Sequence, residues 1–461
     1  MWHKCIINIG LKYLTHDSRR VTLSTPISHC MFPSQRLFST FAAAAGLPHR
    51  GAFQSRAPSA KLASCVARSP QLRRLLHRGE ASERPPFRIH VNDSPGIVAA
   101  RSDRGNRRDN EDRFICKSLR VPMPSASKEL QGEEADVYFF GVFDGHGGET
   151  CSEYLTKHIC QNFKSARAID LQSTLTDLSD IYGRTLRVEE PPPAPTGNVK
   201  GQTTTADGWT DPLTLPQRLY IAFLKTELGF FLEHGREEDA ADGEPKPTPA
   251  DACGSTASVV LVHPIRITET SAVVEIVVGH TGDSRVLIGT ADGHADLLTT
   301  DHVPTLESEQ ARIVELGGFS TPADGAAKSD HLVLGQLAVS RCFGDLRFKR
   351  LGGVIAEPQI VVRRVDEDDQ AAFVCLVTDG VSSVAKDQEI CDVIKQAETP
   401  EQAAHDVLQL ADALGSTDNK TCIVIRMPAF GNHPPEKNDL TRESRAARIA
   451  DVSRRRRSQP R

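Results

Sequence analysis

The sequence predicts an α+β chain of antiparallel β-sheets covered by helices, and two observations carry that reading. Runs rich in β-branched and aromatic residues recur at Val137–Phe143, Ala257–His263, Ala272–Val278, Arg285–Gly289, Ala372–Thr378 and Thr421–Arg426, grouped as hairpins. Amphipathic stretches of helical length separate the groups, at Thr150–Phe163, Leu215–His234, Leu306–Leu316 and Glu401–Leu414.

In chain order, Tyr138-Phe139-Phe140-Gly141-Val142-Phe143 is an apolar strand that runs into Asp144-Gly145-His146-Gly147-Gly148, where glycine allows a sharp turn. The helix Thr150–Phe163 follows. From Pro191 to Thr214 the chain is rich in proline and small polar residues, and from Glu237 to Pro249 it is acidic and proline-containing. Neither segment can bury enough apolar surface to offset the entropy of ordering, so both are expected as exposed loops. They bracket Leu215–His234, a helix because Leu219, Phe223, Leu228, Phe231 and Leu232 recur at roughly helical spacing. Ala257–His263 and Ala272–Val278 are the next strands, and the turn Gly282-Asp283 leads into Arg285–Gly289. Leu306–Leu316 is amphipathic, Ala372–Thr378 is a continuous apolar strand, and Glu401–Leu414 is a helix that Gly415 stops before the last strand, Thr421–Arg426.

The chain has 461 residues with 55 basic and 60 acidic side chains. That near balance implies no global attraction to nucleic acid. Its 11 cysteines include no Cys-x-x-Cys pair, which points to a reducing compartment and away from a zinc site. Residues 1–80 read as a leader: Asp17 is the only acid before Glu80, while Arg, Ser, Ala and Leu abound. Such a segment resembles a mitochondrial presequence, with Arg36-Leu37-Phe38-Ser39 suited to cleavage before Ser39, and a matrix location follows as the expectation. No uninterrupted apolar run is long enough for a membrane span. Residues 429–461, ending in Arg454-Arg455-Arg456-Arg457, are expected to form a disordered basic tail.

Four aspartates, Asp144, Asp283, Asp379 and Asp418, each sit at the end of an apolar run or in a turn beside one. Carboxylates on strand ends are how a fold gathers a hard-cation cluster from distant parts of the chain, and an all-oxygen site suits Mg²⁺ or Mn²⁺ better than zinc. Upstream stands Arg107-Arg108-Asp109-Asn110-Glu111-Asp112. Downstream come Gly254-Ser255-Thr256-Ala257, Gly282-Asp283-Ser284-Arg285, Ser340-Arg341-Cys342-Phe343-Gly344-Asp345, Thr378-Asp379-Gly380 and Asp418-Asn419-Lys420. In this order the set resembles the metal-dependent serine/threonine protein phosphatases of type 2C, over a domain spanning 90–428 with a surface insertion near 188–251.

The resemblance implies a four-layer sandwich of two antiparallel β-sheets flanked by helix pairs. It implies two metal ions, with a weaker third, that activate a water for attack on phosphoserine or phosphothreonine. Asp144 would bridge the ions, Gly145 would lend its carbonyl, Asp379 and Asp418 would complete the set, and Glu111 and Asp112 would join the acidic shell. Asp283 is either a ligand of the third ion or a turn aspartate satisfying its own backbone. Arg107 would clamp two phosphoryl oxygens with its planar guanidinium. His146 is either the proton donor to the leaving alkoxide or a structural histidine beside Asp144. Asp345 is expected to orient Arg341 and the nearby flap, and Ser255 and Thr256 to be strand residues without chemistry. The family often places a second aspartate where Ser383 stands, so support around Asp379 or the third ion is weaker here. Phosphoprotein partners are implied, mitochondrial relatives suggest subunits of 2-oxo-acid dehydrogenase complexes, and the chain is expected to be a monomer. The competing reading is a catalytically silent scaffold with the same fold, against which retention of Arg107, Asp144, Asp379 and Asp418 stands.

Overall fold

The computed structural model describes residues 96–123, 134–188, 192, 203–204, 209–235, 247–267, 272–322, 331–366, 369, 371–431 and 439–458. The leader lies outside these residues. The principal strands are β1 (Val98–Asp103), β2 (Arg113–Pro122), β3 (Glu134–Phe143), β4 (Ala257–Ile267), β5 (Ala272–Thr281), β6 (Arg285–Thr290), β7 (Ala295–Leu297), β8 (Gln359–Val365), β9 (Ala371–Val377) and β10 (Lys420–Arg426). They form two five-stranded antiparallel sheets, ordered β1-β10-β9-β6-β7 and β8-β5-β4-β3-β2.

Because successive strand side chains point to opposite faces, each sheet feeds two cores. Phe140 and Val142 of β3 face inward, where Val260, Ile276 and Val278 meet Val286, Val374, Leu376 and Ile423 of the other sheet. Their neighbours Phe139 and Phe143 face outward onto the helices α1 (Thr150–Ser165) and α3 (Leu215–His234), packing with Leu155, Ile159, Phe163, Leu219 and Phe223. Leu287, Phe373, Cys375 and Val377 face outward on the opposite side, onto α5 (Asp387–Ile394) and α6 (Pro400–Ala413). The result is helix, sheet, sheet, helix. The other helices of eight or more residues among the described residues are α2 (Asp170–Tyr182), α4 (Glu307–Glu315) and the last, α7 (Arg442–Ser458). No helix among the described residues is long and apolar enough to cross a membrane.

The six strands expected from the sequence are the six interior strands, and the four it did not reveal are the four sheet edges. Interior β9 is buried at every position, whereas β2 interrupts its buried residues with exposed Lys117 and Ser118 and β8 buries only Val365 and exposes Arg364, which breaks up an apolar run.

Two expectations are corrected. The stretch 188–251 is not all surface insertion: Trp209 is buried, and α3 is buried along most of its length and packs on β5, where Leu219 comes against Gly279. Its start is set by a capping box, in which the Thr214 hydroxyl accepts from the Gln217 N–H and the Gln217 side chain accepts from the Thr214 N–H. The basic tail is not without structure either, since it contains α7. Arg448 pairs with Glu389, Arg445 with Asp439 at 2.7 Å, the Thr441 hydroxyl donates to Asp392 at 2.7 Å, and Ile449 packs against the α5–α6 core. Pairing consumes part of the charge that composition alone counted as solvated.

Candidate active site

Antiparallel pairing brings the C-terminal ends of β1, β3, β5 and β9 to the same end of the sandwich as the N-terminal ends of β2 and β10. Asp144 follows β3, Asp283 follows β5, Asp379 follows β9, Asp112 precedes β2 and Asp418 precedes β10. They converge on a cleft of about 590 Å³ lined by Arg107, Glu111, Asp144, Gly145, His146, Asp283, Asp379 and Asp418, among others. Asp112 lies beneath it, 3% exposed, accepting through Oδ2 from the hydroxyls of Thr378 at 2.9 Å and Thr421 at 2.7 Å.

The carboxylates are not neutralised by each other. The Asp379 N–H donates to Asp144 Oδ2 at 3.3 Å, which brings the two acids together. Burial, then the charges of Asp379 and Asp112, pushes the Asp144 carboxyl well above the usual carboxylate range. Burial and the neighbouring Asp418 raise Asp379 despite its bond to Asp144 and the nearby Arg107. Burial, Asp379 and Asp301 lift Asp283 to about 7, and burial lifts Asp112 to about 6 against its two hydroxyl bonds. The guanidinium of Arg107 sits 2.6 Å from Asp418 Oδ2 and remains 60% exposed at the cleft mouth. Asp112 Oδ1 is buried with no hydrogen-bond partner. Such a group of oxygen donors, short of positive charge, fits hard divalent cations held by Asp144, Asp379, Asp418 and the Gly145 carbonyl. Gly145 must be glycine here: a Cβ would come 2.6 Å from the Glu111 carbonyl oxygen.

His146 is aligned by a small sheet. Gly145–His146 pairs with Gly254–Ser255, which pairs with Phe343–Gly344, so that Asp345 arrives beside the imidazole with Oδ2 at 2.5 Å from Nε2. Burial disfavours the imidazolium, but the Asp345 carboxylate outweighs it and raises the His146 pKa. Asp345 adopts φ +50°, a left-handed conformation that aspartate tolerates better than most residues and that costs some strain. The expectation that Asp345 orients Arg341 is therefore corrected. Arg341 is held instead by Glu309, Nη2 to Oε1 at 2.7 Å.

A family model described as Protein phosphatase 2C matches residues 218–420. Protein phosphatase 2C homolog 4 of Schizosaccharomyces pombe is 27% identical over 374 residues, covering 80% of this chain and 89% of its own. Protein phosphatase 1K, mitochondrial, of Xenopus laevis is 30% identical over 344 residues, covering 75% of this chain and 71% of its own. The chain belongs to the protein phosphatase 2C family. A solved serine-threonine phosphatase 2C from Toxoplasma gondii aligns with 71% of this chain and 94% of its own, at 21% identity and a TM-score of 0.47. As a 2C phosphatase, the chain is a metal-dependent hydrolase of phosphoserine and phosphothreonine in proteins.

Several supporting residues of this phosphatase escaped the sequence reading. Thr256, read as inert, offers its hydroxyl to the Asp144 N–H at 3.4 Å and bonds Ser284 at 2.9 Å. Asn419 accepts from the Glu111 N–H at 2.8 Å and donates to the carbonyls of Arg104 and Asp109, tying the Arg107 loop to the Asp418 turn. The adjacency of Asn419 to Asp418 was the available signal. At the departure from the family pattern, Ser383 only continues the turn, its N–H donating to the Asp379 carbonyl at 2.8 Å. The nearest acid beyond it in sequence, Asp387, is engaged by Arg285 at 2.8 Å.

Proposed function

We propose that this phosphatase works through two divalent cations, Mg²⁺ or Mn²⁺, held by Asp144, the Gly145 carbonyl, Asp379 and Asp418, with Glu111 and Asp112 in the surrounding acidic shell and a weaker third ion at Asp283. The observation that carries this reading is the gathering of buried carboxylates whose mutual repulsion the chain's own cations leave unbalanced. Bound there, the cations would neutralise phosphoryl charge and acidify a water to a nucleophile. Arg107 reaches from the rim to hold phosphoryl oxygens, exchanging its contact with Asp418 for the substrate. His146, whose protonated form the Asp345 carboxylate favours, gives its proton to the departing serine or threonine oxygen. The cleft mouth, bordered by Gln336, Leu337, Ala338 and Val339, is where the phosphoprotein chain enters.

The test is phosphate release from a phosphothreonine peptide by the full chain, with and without Mn²⁺, beside His146→Ala. Turnover should need the metal. The variant should lose about 10²-fold or more on phosphoserine esters and much less on aryl phosphates, whose leaving group needs little protonation. Equal slowing on both esters would remove His146 from the acid role. A mitochondrial matrix location is part of the proposal, supported by the acid-poor leader and by the mitochondrial relative. A fluorescent fusion of residues 1–80 that stays outside mitochondria would overturn it.

A further inference from the structure

Beside the acidic cluster lies a group of different chemistry. His146 Nε2, Asp345 Oδ2 and Cys342 Sγ all lie within 4.8 Å of one another. The Asp345 oxygen is the hub, 2.5 Å from Nε2 and accepting from the Cys342 thiol at 3.1 Å. Nitrogen, thiolate sulfur and carboxylate oxygen are the donor set of zinc, not of magnesium. Adjacent ligands of a tetrahedral zinc stand roughly 3.3–3.7 Å apart, given bonds of about 2.0 Å to nitrogen and oxygen and 2.3 Å to sulfur. The two hydrogen-bonded pairs, His146–Asp345 and Cys342–Asp345, would need to spread by no more than about 1 Å, with the imidazole nitrogen and the thiol already within 4.8 Å of each other.

Cys342 and Asp345 are buried, whereas His146 lines the cleft and its side chain is 32% exposed, so a fourth coordination position opens toward the cleft. Gly254 keeps room beside the pair, since a Cβ there would stand 2.1 Å from Asp345 Oδ2 and 2.3 Å from His146 Nε2.

We infer that His146, Cys342 and Asp345 form a second, softer metal site that takes Zn²⁺ and thereby switches the phosphatase off. Zinc on Nε2 occupies the electron pair that the second ring proton of an imidazolium needs, so the ring keeps only its Nδ1–H and is a far weaker acid than the imidazolium. The Nε2 proton and the Cys342 thiol proton both pass to solvent as the zinc–nitrogen and zinc–sulfur bonds form. The inhibitory consequence rests on the reading of His146 as the proton donor; the site itself does not. Selectivity between the two centres follows from ligand type, because hard cations keep to the all-oxygen cluster while a borderline-soft cation gains from sulfur and nitrogen.

The experiment uses the full-length protein saturated with Mn²⁺. Zinc titrated into it should inhibit hydrolysis of a phosphoserine peptide more strongly than that of an aryl phosphate. In Cys342→Ala, with each protein scaled to its own zinc-free rate, the half-inhibitory zinc concentration should rise at least about tenfold. Independently of activity, Co²⁺ should produce a thiolate-to-cobalt charge-transfer band in the near ultraviolet in the wild type and none in Cys342→Ala. Cobalt reads the site even if the phosphatase assay fails. Equal zinc sensitivity in the two proteins, or a band that persists without Cys342, would assign the soft metal elsewhere and overturn the proposal. Should the alanine variant fail to fold, Cys342→Ser takes its place under the same outcomes.

Discussion

Two buried carboxylate sites in this molecule meet opposite fates. At Glu309, the side chain is 1% exposed, yet Arg341 reaches it at 2.7 Å and Arg312 at 2.8 Å. Burial works against its charge, but the two guanidinium groups overcome it and bring its pKa down to about 2. At the cleft, half-buried aspartates stand beside one another above the buried Asp112, and Asp283 is driven up to about 7. The fold thus supplies its own cations to a buried acid where the role is structural. Where it supplies fewer of them, the charge must come from outside, which is why we propose the cleft and not the Glu309 cluster as the place for divalent metal.

The largest way to sharpen that contrast is Asp379→Asn. It should cost several kcal/mol of transition-state stabilisation, about a thousandfold or more in phosphate release, while leaving the melting temperature in EDTA unchanged or higher, because a repelling charge is removed. A marked loss of stability in EDTA would mean that the acidic cluster holds the fold together after all. Glu309→Gln should do the reverse. Two guanidinium groups would be left buried without their carboxylate, at a cost of about 3–5 kcal/mol by urea unfolding, with any residual activity still metal-dependent.

Acid titration separates the two sites next. The folded pKa of Glu309 lies below its unfolded value of 4.5, so its contribution is fully present above 4.5 and is lost as pH falls from there toward about 2. The loss should amount to roughly 3 kcal/mol across that window, and Glu309→Gln should flatten the corresponding part of the urea-midpoint profile. Metal addition gives the smallest effect. Mn²⁺ at about a hundred times its dissociation constant should stabilise the wild type by about 2.7 kcal/mol in the same assay, and Asp379→Asn should lose most of that gain. Equal stabilisation of both proteins would place the bound metal away from the cleft.

Much of the fold was legible because burial on two faces leaves a mark in one dimension. Residues such as Val259-Val260-Leu261-Val262 and Phe373-Val374-Cys375-Leu376 face a helix layer on one side and the other sheet on the other, so every position is apolar. Edge strands have no such uniform demand, and β2 and β8 went unread. Helix α7 also escaped, because its docking depends on Arg445 and Arg448 meeting Asp439 and Glu389 rather than on an apolar stripe.

For the site, the sequence by itself determined the acids. Asp144 and Asp379, which follow strands, and Asp418, which precedes one, can be recognised because turn and strand impose local patterns around them. Only the tertiary structure decided which groups act together. His146 and Asp345 meet through paired strands of two residues each, too short to carry any periodicity, and the Cys342 thiol joins them from the same loop. A search for Cys-x-x-Cys spacing excludes paired-cysteine zinc sites, but it cannot register a nitrogen, a sulfur and an oxygen brought together from positions 146, 342 and 345. Local propensity acts over a few residues, whereas the charge a buried group feels is set by whatever the chain folds against it.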